Sequence, residues 1–123
     1  KLPGETLTVI YDFLPEQAAL ARIRPGDPPV AERFEIYIGQ LELANGYQEL
    51  TDGAEQLARF SKEQKLKQAR GEDTAPIDLQ LIEALDHGLP ECSGVALGVD
   101  RLLMSLLKLE HVDSVLAFSH DRS

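Results

Sequence analysis

The chain has one cysteine, Cys92, so it cannot form an internal disulfide, a usage that fits a reducing compartment. No run of about 18 apolar residues is present, so no helical membrane span is expected. The first residues, Lys1-Leu2-Pro3-Gly4, lack the basic region and apolar core of a secretory signal, and the expected location is cytoplasmic. Positive charge is scarce: 12 Lys and Arg against 21 Asp and Glu leave a formal net charge of −9. A surface that negative argues against this piece alone holding a nucleic-acid backbone, because phosphate neutralisation needs clustered Lys and Arg. His87, His111 and His120 have no metal-ligand spacing with one another or with Cys92, and no Ser-His-Asp or Cys-His set is evident. There is no internal repeat and no low-complexity tract. What remains is 123 residues with 43% hydrophobic content, enough for one domain with one modest core.

The pattern of residues predicts alternating elements. Thr6-Leu7-Thr8-Val9-Ile10-Tyr11 is β-rich and alternates, so it is expected to be a strand ended by Pro15. Residues 16–24 are expected to form a short helix, and Arg24-Pro25-Gly26-Asp27-Pro28-Pro29 a turn or loop. Residues 31–38 and 41–48 are two strand candidates joined at Ile38-Gly39. Asp52, with Glu55 three residues later, opens a helix that runs to about Ala69 and stops at Gly71. Its basic residues, Arg59, Lys62, Lys65, Lys67 and Arg70, are expected to form a solvated face. A second helix covers roughly 77–87, and Pro90 prevents its continuation. Residues 93–99 are expected to be a buried strand, 101–109 a leucine-rich helix that faces a core on most sides, and 115–118 a last strand. This order with its hairpin argues an α+β fold with an antiparallel sheet flanked by helices.

The hairpin concentrates carboxylates. With Ile38-Gly39 as a two-residue turn, Glu35 pairs with Glu42 on one face. Like charges directly opposite each other destabilise a hairpin, unless a hard cation such as Mg²⁺ sits between them. A solvent-facing pair of acids is the alternative. Asn45, Tyr47 and Glu49 share a face by parity, and together such groups can hold an ammonium; a polar strand face explains them equally well. Glu42 falls on the opposite parity, so a single pocket needs a bulge near Ala44-Asn45-Gly46.

The second stretch is Ser93-Gly94-Val95-Ala96-Leu97-Gly98-Val99-Asp100-Arg101. Gly94 and Gly98 remove side chains from a strand, which weakens it unless something flat, such as a purine, approaches the backbone. Asp100 stands where a helix cap belongs, and Arg101 in the first turn is placed to grip phosphate. An ordinary strand-to-helix turn with an exposed arginine is the alternative.

These residues carry a resemblance. Gly94 to Arg101, followed by Leu102-Leu103-Met104, resembles motif 3 of class II aminoacyl-tRNA synthetases. Glu42-Leu43-Ala44-Asn45-Gly46-Tyr47-Gln48-Glu49-Leu50 resembles the signature of the lysine-specific members. Over essentially the whole chain the sequence is similar to a narrower family, the lysyl-synthetase paralogs that attach β-lysine to elongation factor P. Ala31-Glu32-Arg33-Phe34-Glu35, Pro76-Ile77-Asp78 with Leu81-Ile82-Glu83-Ala84-Leu85, and Cys92 through Arg101 carry that match.

The resemblance implies roles. Glu35 and Glu42 would hold Mg²⁺ at the ATP phosphates, Arg101 the γ-phosphate, and Gly98 would lie beneath the adenine. Asn45, Tyr47 and Glu49 would line the amino-acid pocket, with Glu49 the partner of the side-chain ammonium. Ala96, where lysyl-tRNA synthetases usually have Gly, would reshape that pocket. Residues 1–123 would be the C-terminal portion of a catalytic domain, with motif 3 at 93–109 and without motifs 1 and 2. The whole protein would be an ATP-dependent aminoacyl ligase that activates lysine or β-lysine as an acyl-adenylate and transfers it to a lysine of elongation factor P. It is expected to be a homodimer, with no membrane partner and no tRNA partner for this piece, and the piece alone is expected to be inactive. A fragment of a lysyl-tRNA synthetase, or a non-catalytic protein-binding module with the same fold, are the alternatives.

Overall fold

Residues 7–13 and 30–38, rich in β-branched and aromatic side chains, build two long strands, and residues 41–48 fold back as a third through a glycine-bearing turn. A computed structural model describes residue 4 and residues 6–119. The strands are β1 (Leu7–Phe13), β2 (Ile23–Arg24), β3 (Val30–Ile38), β4 (Leu41–Gln48) and β5 (Ser93–Leu97). The helices are α1 (Gly53–Ala69), α2 (Leu79–Asp86) and α3 (Val99–Leu106), with single 3-10 turns at Pro15–Gln17 and Val112–Ser114. All pairings are antiparallel, in the order β1-β3-β4-β5, with β2 added to the end of β3. The architecture is α+β, as expected. None of the described helices is long and apolar enough to cross a membrane.

Local chemistry sets the helix ends. The Asp52 carboxylate accepts from the Glu55 backbone N–H at 2.9 Å, which opens α1. Gly71 follows its end at φ +72°, a conformation that costs glycine little. Asp78 caps α2 in the same way, accepting from Gln80 and Leu81. α3 starts earlier than expected: Gly98, not Asp100, is its cap, and the helix stops at Leu106. Arg101 still falls in the first turn.

Four further sequence expectations fail. Residues 16–24 do not form a helix. One 3-10 turn is followed by Ala19 at φ +51°, and the next backbone groups pair with strands: Arg22 N–H with Gln48 O at 2.8 Å, and Glu32 N–H with Arg22 O at 2.9 Å. Tertiary pairing outweighs the helix propensity of the alanines. The strand expected at 115–118 is absent; Val115 closes a turn onto Val112, and Phe118 is 85% exposed. A four-residue apolar run has no periodicity that separates strand from turn. β5 is an edge strand rather than a buried one, with Val95 63% exposed. α3 is not enclosed: none of its residues is buried, and Leu106 is 72% exposed. The leucine pattern marks an apolar helix, but no described residue covers it on most sides. β1 forms the other edge. The core is small. Ala18, Ala21 and Ala31 pack with Phe13, Ile23 and Tyr47 under one end of the sheet.

Candidate functional site

The β3–β4 hairpin turns one residue later than the sequence suggests. Gly39, at φ +57°, and Gln40 make the turn, so Ile38 pairs with Leu41 and Tyr37 with Glu42. Glu35 therefore does not pair with Glu42. Next to the turn, Leu43 is an extra residue: Ile36 pairs with Ala44 and Glu35 with Asn45. Without that bulge Asn45 and Tyr47 would point away from Glu42. With it, Arg33, Glu35 and Tyr37 of β3 and Glu42, Asn45 and Tyr47 of β4 share one face. A bulge is what a single pocket requires, and it lies at Leu43, just before the Ala44-Asn45-Gly46 segment. The Leu43 carbonyl accepts from the Gly98 N–H at 2.9 Å, which ties the bulge to the start of α3.

Glu35 is buried, and each of its carboxylate oxygens accepts a hydrogen bond. Arg33 Nη2 donates to one carboxylate oxygen, and the Tyr37 hydroxyl donates to the other at 2.5 Å. The hydrogen bond to Glu35 pushes the Tyr37 phenol up to about 12, with burial adding to the shift. Arg33 also donates from Nε to Asn45 Oδ1 at 3.2 Å and from Nη1 to the Gln17 carbonyl at 2.8 Å. Its guanidinium lies 4.7 Å from the centroid of the Phe13 ring. Sequence reasoning missed Arg33 and Tyr37 as site residues, although strand parity places them beside Glu35.

Along the sheet, β5 lays Gly94 opposite Tyr47 and Ala96 opposite Asn45. Asn45, Tyr47, Glu49, Gly94, Val95 and Ala96 line a cavity of ≈ 400 Å³. Glu49 is held by its backbone, through its N–H to the Cys92 carbonyl at 2.9 Å and a bridge to Ala21. A side chain on Gly94 would come within 2.6 Å of Glu49 Oε1, so the missing Cβ is what admits this carboxylate. No described residue donates a hydrogen bond to it from a side chain. Burial, with the nearby Glu49 charge, raises the Tyr47 phenol above its ordinary value.

Glu42 and Arg101 meet at the other end. Arg101 Nη1 donates to the Glu42 carbonyl at 3.0 Å and lies 3.9 Å from Glu42 Oε2. Both side chains stay partly exposed. A side chain on Gly98 would press on the stem of Arg101 at 3.3 Å, so this glycine first of all makes room for that arginine. Glu35 and Glu42 are now diagonal neighbours across the strands, a spacing of roughly 7–8 Å for such pairs. An ionised carboxylate has about four lone-pair sites, so Glu35 keeps acceptor capacity beyond Arg33 and Tyr37. Two carboxylates on one face, one of them partly exposed, fit the oxygen-donor chemistry of Mg²⁺.

An antiparallel sheet whose one face carries acids, an amide and phenols, and whose glycine-bearing edge strand feeds an arginine into a helix's first turn, is a partial class II synthetase-like domain. The chain belongs to the family of class II tRNA synthetases (D, K and N), which it matches over residues 3–122.

Its relatives are more particular. Over 121 residues it is 52% identical to the protein of Photobacterium profundum named Elongation factor P--(R)-beta-lysine ligase, covering 98% of this chain and 38% of that protein. The Vibrio cholerae protein of the same name is 52% identical over 123 residues, covering 100% of this chain and 38% of its own length. That of Yersinia enterocolitica is 54% identical over 114 residues, 93% of this chain and 35% of its length. The chain thus spans well under half the length of these relatives.

Proposed function

We propose that the whole protein is an ATP-dependent ligase that activates lysine or β-lysine and transfers it to a lysine of elongation factor P. The observation that carries this proposal is Glu49, a carboxylate without a described side-chain donor, aimed into a cleft beside Tyr47. A cleft with one unmatched negative charge selects a ligand that brings a positive one. The relatives' printed names supply β-lysine and elongation factor P as the particular substrate and acceptor. In this scheme an oxygen of the amino-acid carboxylate attacks the α-phosphorus of ATP and pyrophosphate leaves. The ε-amine of the acceptor lysine then attacks the acyl carbon, and AMP leaves.

Each residue of this chain has a part. Glu49 binds the side-chain ammonium, Tyr47 and Asn45 shape the cleft, and Ala96 narrows it by one methyl relative to glycine. Arg101 binds the terminal phosphate and Gly98 lies against the adenine. Glu35 and Glu42 would hold Mg²⁺, which neutralises phosphate charge when bound. Catalysis then rests on positioning and charge rather than on a covalent enzyme intermediate. The proposal assigns the α-phosphate and amino-acid carboxylate contacts to the part of the relatives' length that this chain does not span. It places the protein in the cytoplasm.

The acceptor is tested by incubating the whole protein with ATP, Mg²⁺ and β-lysine or lysine, together with elongation factor P and tRNA in parallel, and weighing both acceptors. Acylated elongation factor P is the expected product. Charged tRNA alone would make the protein a lysyl-tRNA synthetase, and no product on either would leave a non-catalytic module.

A further inference from the structure

The three hydrogen-bonded contacts of Arg33 join parts of the site that the sequence treats as separate. Its Nη2 reaches Glu35, the buried acid, and its Nε reaches Asn45 Oδ1, on the wall of the amino-acid cleft. Its Nη1 takes the Gln17 carbonyl, and Phe13 lies against its plane, so the guanidinium is itself fixed from β1 and the adjoining turn. Arginine is only a donor, so the atom of Asn45 that faces it must be the oxygen. The amide's N–H pair is therefore turned away from Arg33, and Asn45 is locked in one of its two orientations.

We propose that Arg33 is a positioning residue for the activation reaction, setting Asn45 and Glu35 together through one guanidinium. The proposal rests on the ligase function argued above. Its chemistry is specific to arginine. A lysine ammonium is a point donor on a flexible stem and cannot hold a carboxylate, an amide oxygen and a backbone carbonyl in one plane while stacking on a ring. Arg33→Lys keeps the positive charge beside buried Glu35 and loses the fork, so it separates positioning from charge compensation. Arg33→Met leaves Glu35 buried without its cation and carries a risk of unfolding; the double variant Arg33→Met/Glu35→Gln removes that unpaired charge.

The test is a double-mutant cycle on the whole protein with Arg33→Lys, Asn45→Ala and the pair. Two quantities are measured: lysine-dependent pyrophosphate exchange, and equilibrium lysine binding by calorimetry without ATP or metal. Arg33→Lys is expected to keep a cooperative thermal transition, to raise KM and the binding Kd for lysine at least tenfold, and to lower kcat. Asn45→Ala is expected to cost much less in the Arg33→Lys background than in the wild type. The Arg33→Met/Glu35→Gln protein is expected to show the same weakened lysine binding. Wild-type lysine binding in folded Arg33→Lys, or effects that multiply within about twofold across the cycle, would overturn the positioning role while leaving the ligase function standing. A wild-type protein that binds neither lysine nor β-lysine and catalyses exchange with neither would overturn that function, and this proposal with it.

Discussion

Glu35 and Glu42 sit on one face, yet their surroundings differ. Glu35 is buried between a guanidinium and a phenol; Glu42 is partly exposed beside Arg101. If both neutralise phosphate charge through a cation, changing either to Gln should lower adenylate formation by at least about tenfold, or about 1.4 kcal/mol. ATP–pyrophosphate exchange by the whole protein measures it, and wild-type rates in both variants would remove them from the metal site. Gly94 makes a separate point. A Cβ there would meet Glu49 Oε1 at 2.6 Å, and the far end of that flexible side chain is what must move. Gly94→Ala is therefore expected to leave the melting temperature nearly unchanged while raising KM for lysine at least about tenfold. An unchanged KM would mean that the observed position of the Glu49 carboxylate is not the one that binds substrate. The residue types were legible from the sequence; their partners were not. Strand parity puts Arg33 and Tyr37 on the side of Glu35; that Arg33 also reaches Asn45 and the Gln17 carbonyl depends on the register with β4 and on a turn outside the strand.

Among the elements, the hairpin shows how far sequence reasoning reaches. Its two strands and its glycine turn were legible from alternation and from Gly39. The register was not, since placing the turn at Ile38-Gly39 rather than Gly39-Gln40 shifts every pair, and the bulge at Leu43 shifts it again. Both matter: the turn sets Glu42 opposite Tyr37 rather than Glu35, and the bulge puts Asn45 and Tyr47 on the face of Glu42. Helix α1 was legible to within a residue from Asp52, Glu55 and Gly71, whose chemistry is local. The segment at 16–24 was not, because its backbone partners lie on β3 and β4, far along the chain. Gly46 reports on the packing between these strands. A Cβ there would lie 2.6 Å from Phe34 Cζ and 2.8 Å from the Gly94 carbonyl. Gly46→Ala is expected to destabilise the protein by about 1–3 kcal/mol, since neither the ring nor the neighbouring backbone yields cheaply. Denaturant unfolding of the whole protein checks it, and a neutral result would mean that β3, β4 and β5 pack less closely than described.

At the scale of the whole molecule, the described residues bury little and expose much. Val95, Leu97, Val99, Leu103, Leu106 and Leu107 leave apolar surface on and around β5 and α3, and Leu7, Val9 and Tyr11 do so on β1. Surface of this kind drives association when nothing covers it. The chain alone is therefore expected to self-associate, measured as mass by light scattering, and to lack lysine-dependent exchange. A monodisperse monomer with exchange well above background would contradict both expectations. Homodimerisation of the whole protein, expected from the resemblance, is read from the same scattering measurement on that protein.

The central claim is that this face carries the ammonium-selecting part of an adenylating site, with Glu49 as the selector. The most direct measurement is ATP–pyrophosphate exchange by the whole protein, wild type against Glu49→Gln, with lysine, β-lysine and norleucine in turn. The wild type is expected to exchange with lysine or β-lysine and to reject norleucine by about a hundredfold or more, since a carboxylate covered by an apolar side chain and left unpaired is costly. Glu49→Gln is expected to lose most of that preference. Equal exchange with norleucine and lysine by the wild type, or an undiminished preference in Glu49→Gln, would contradict it.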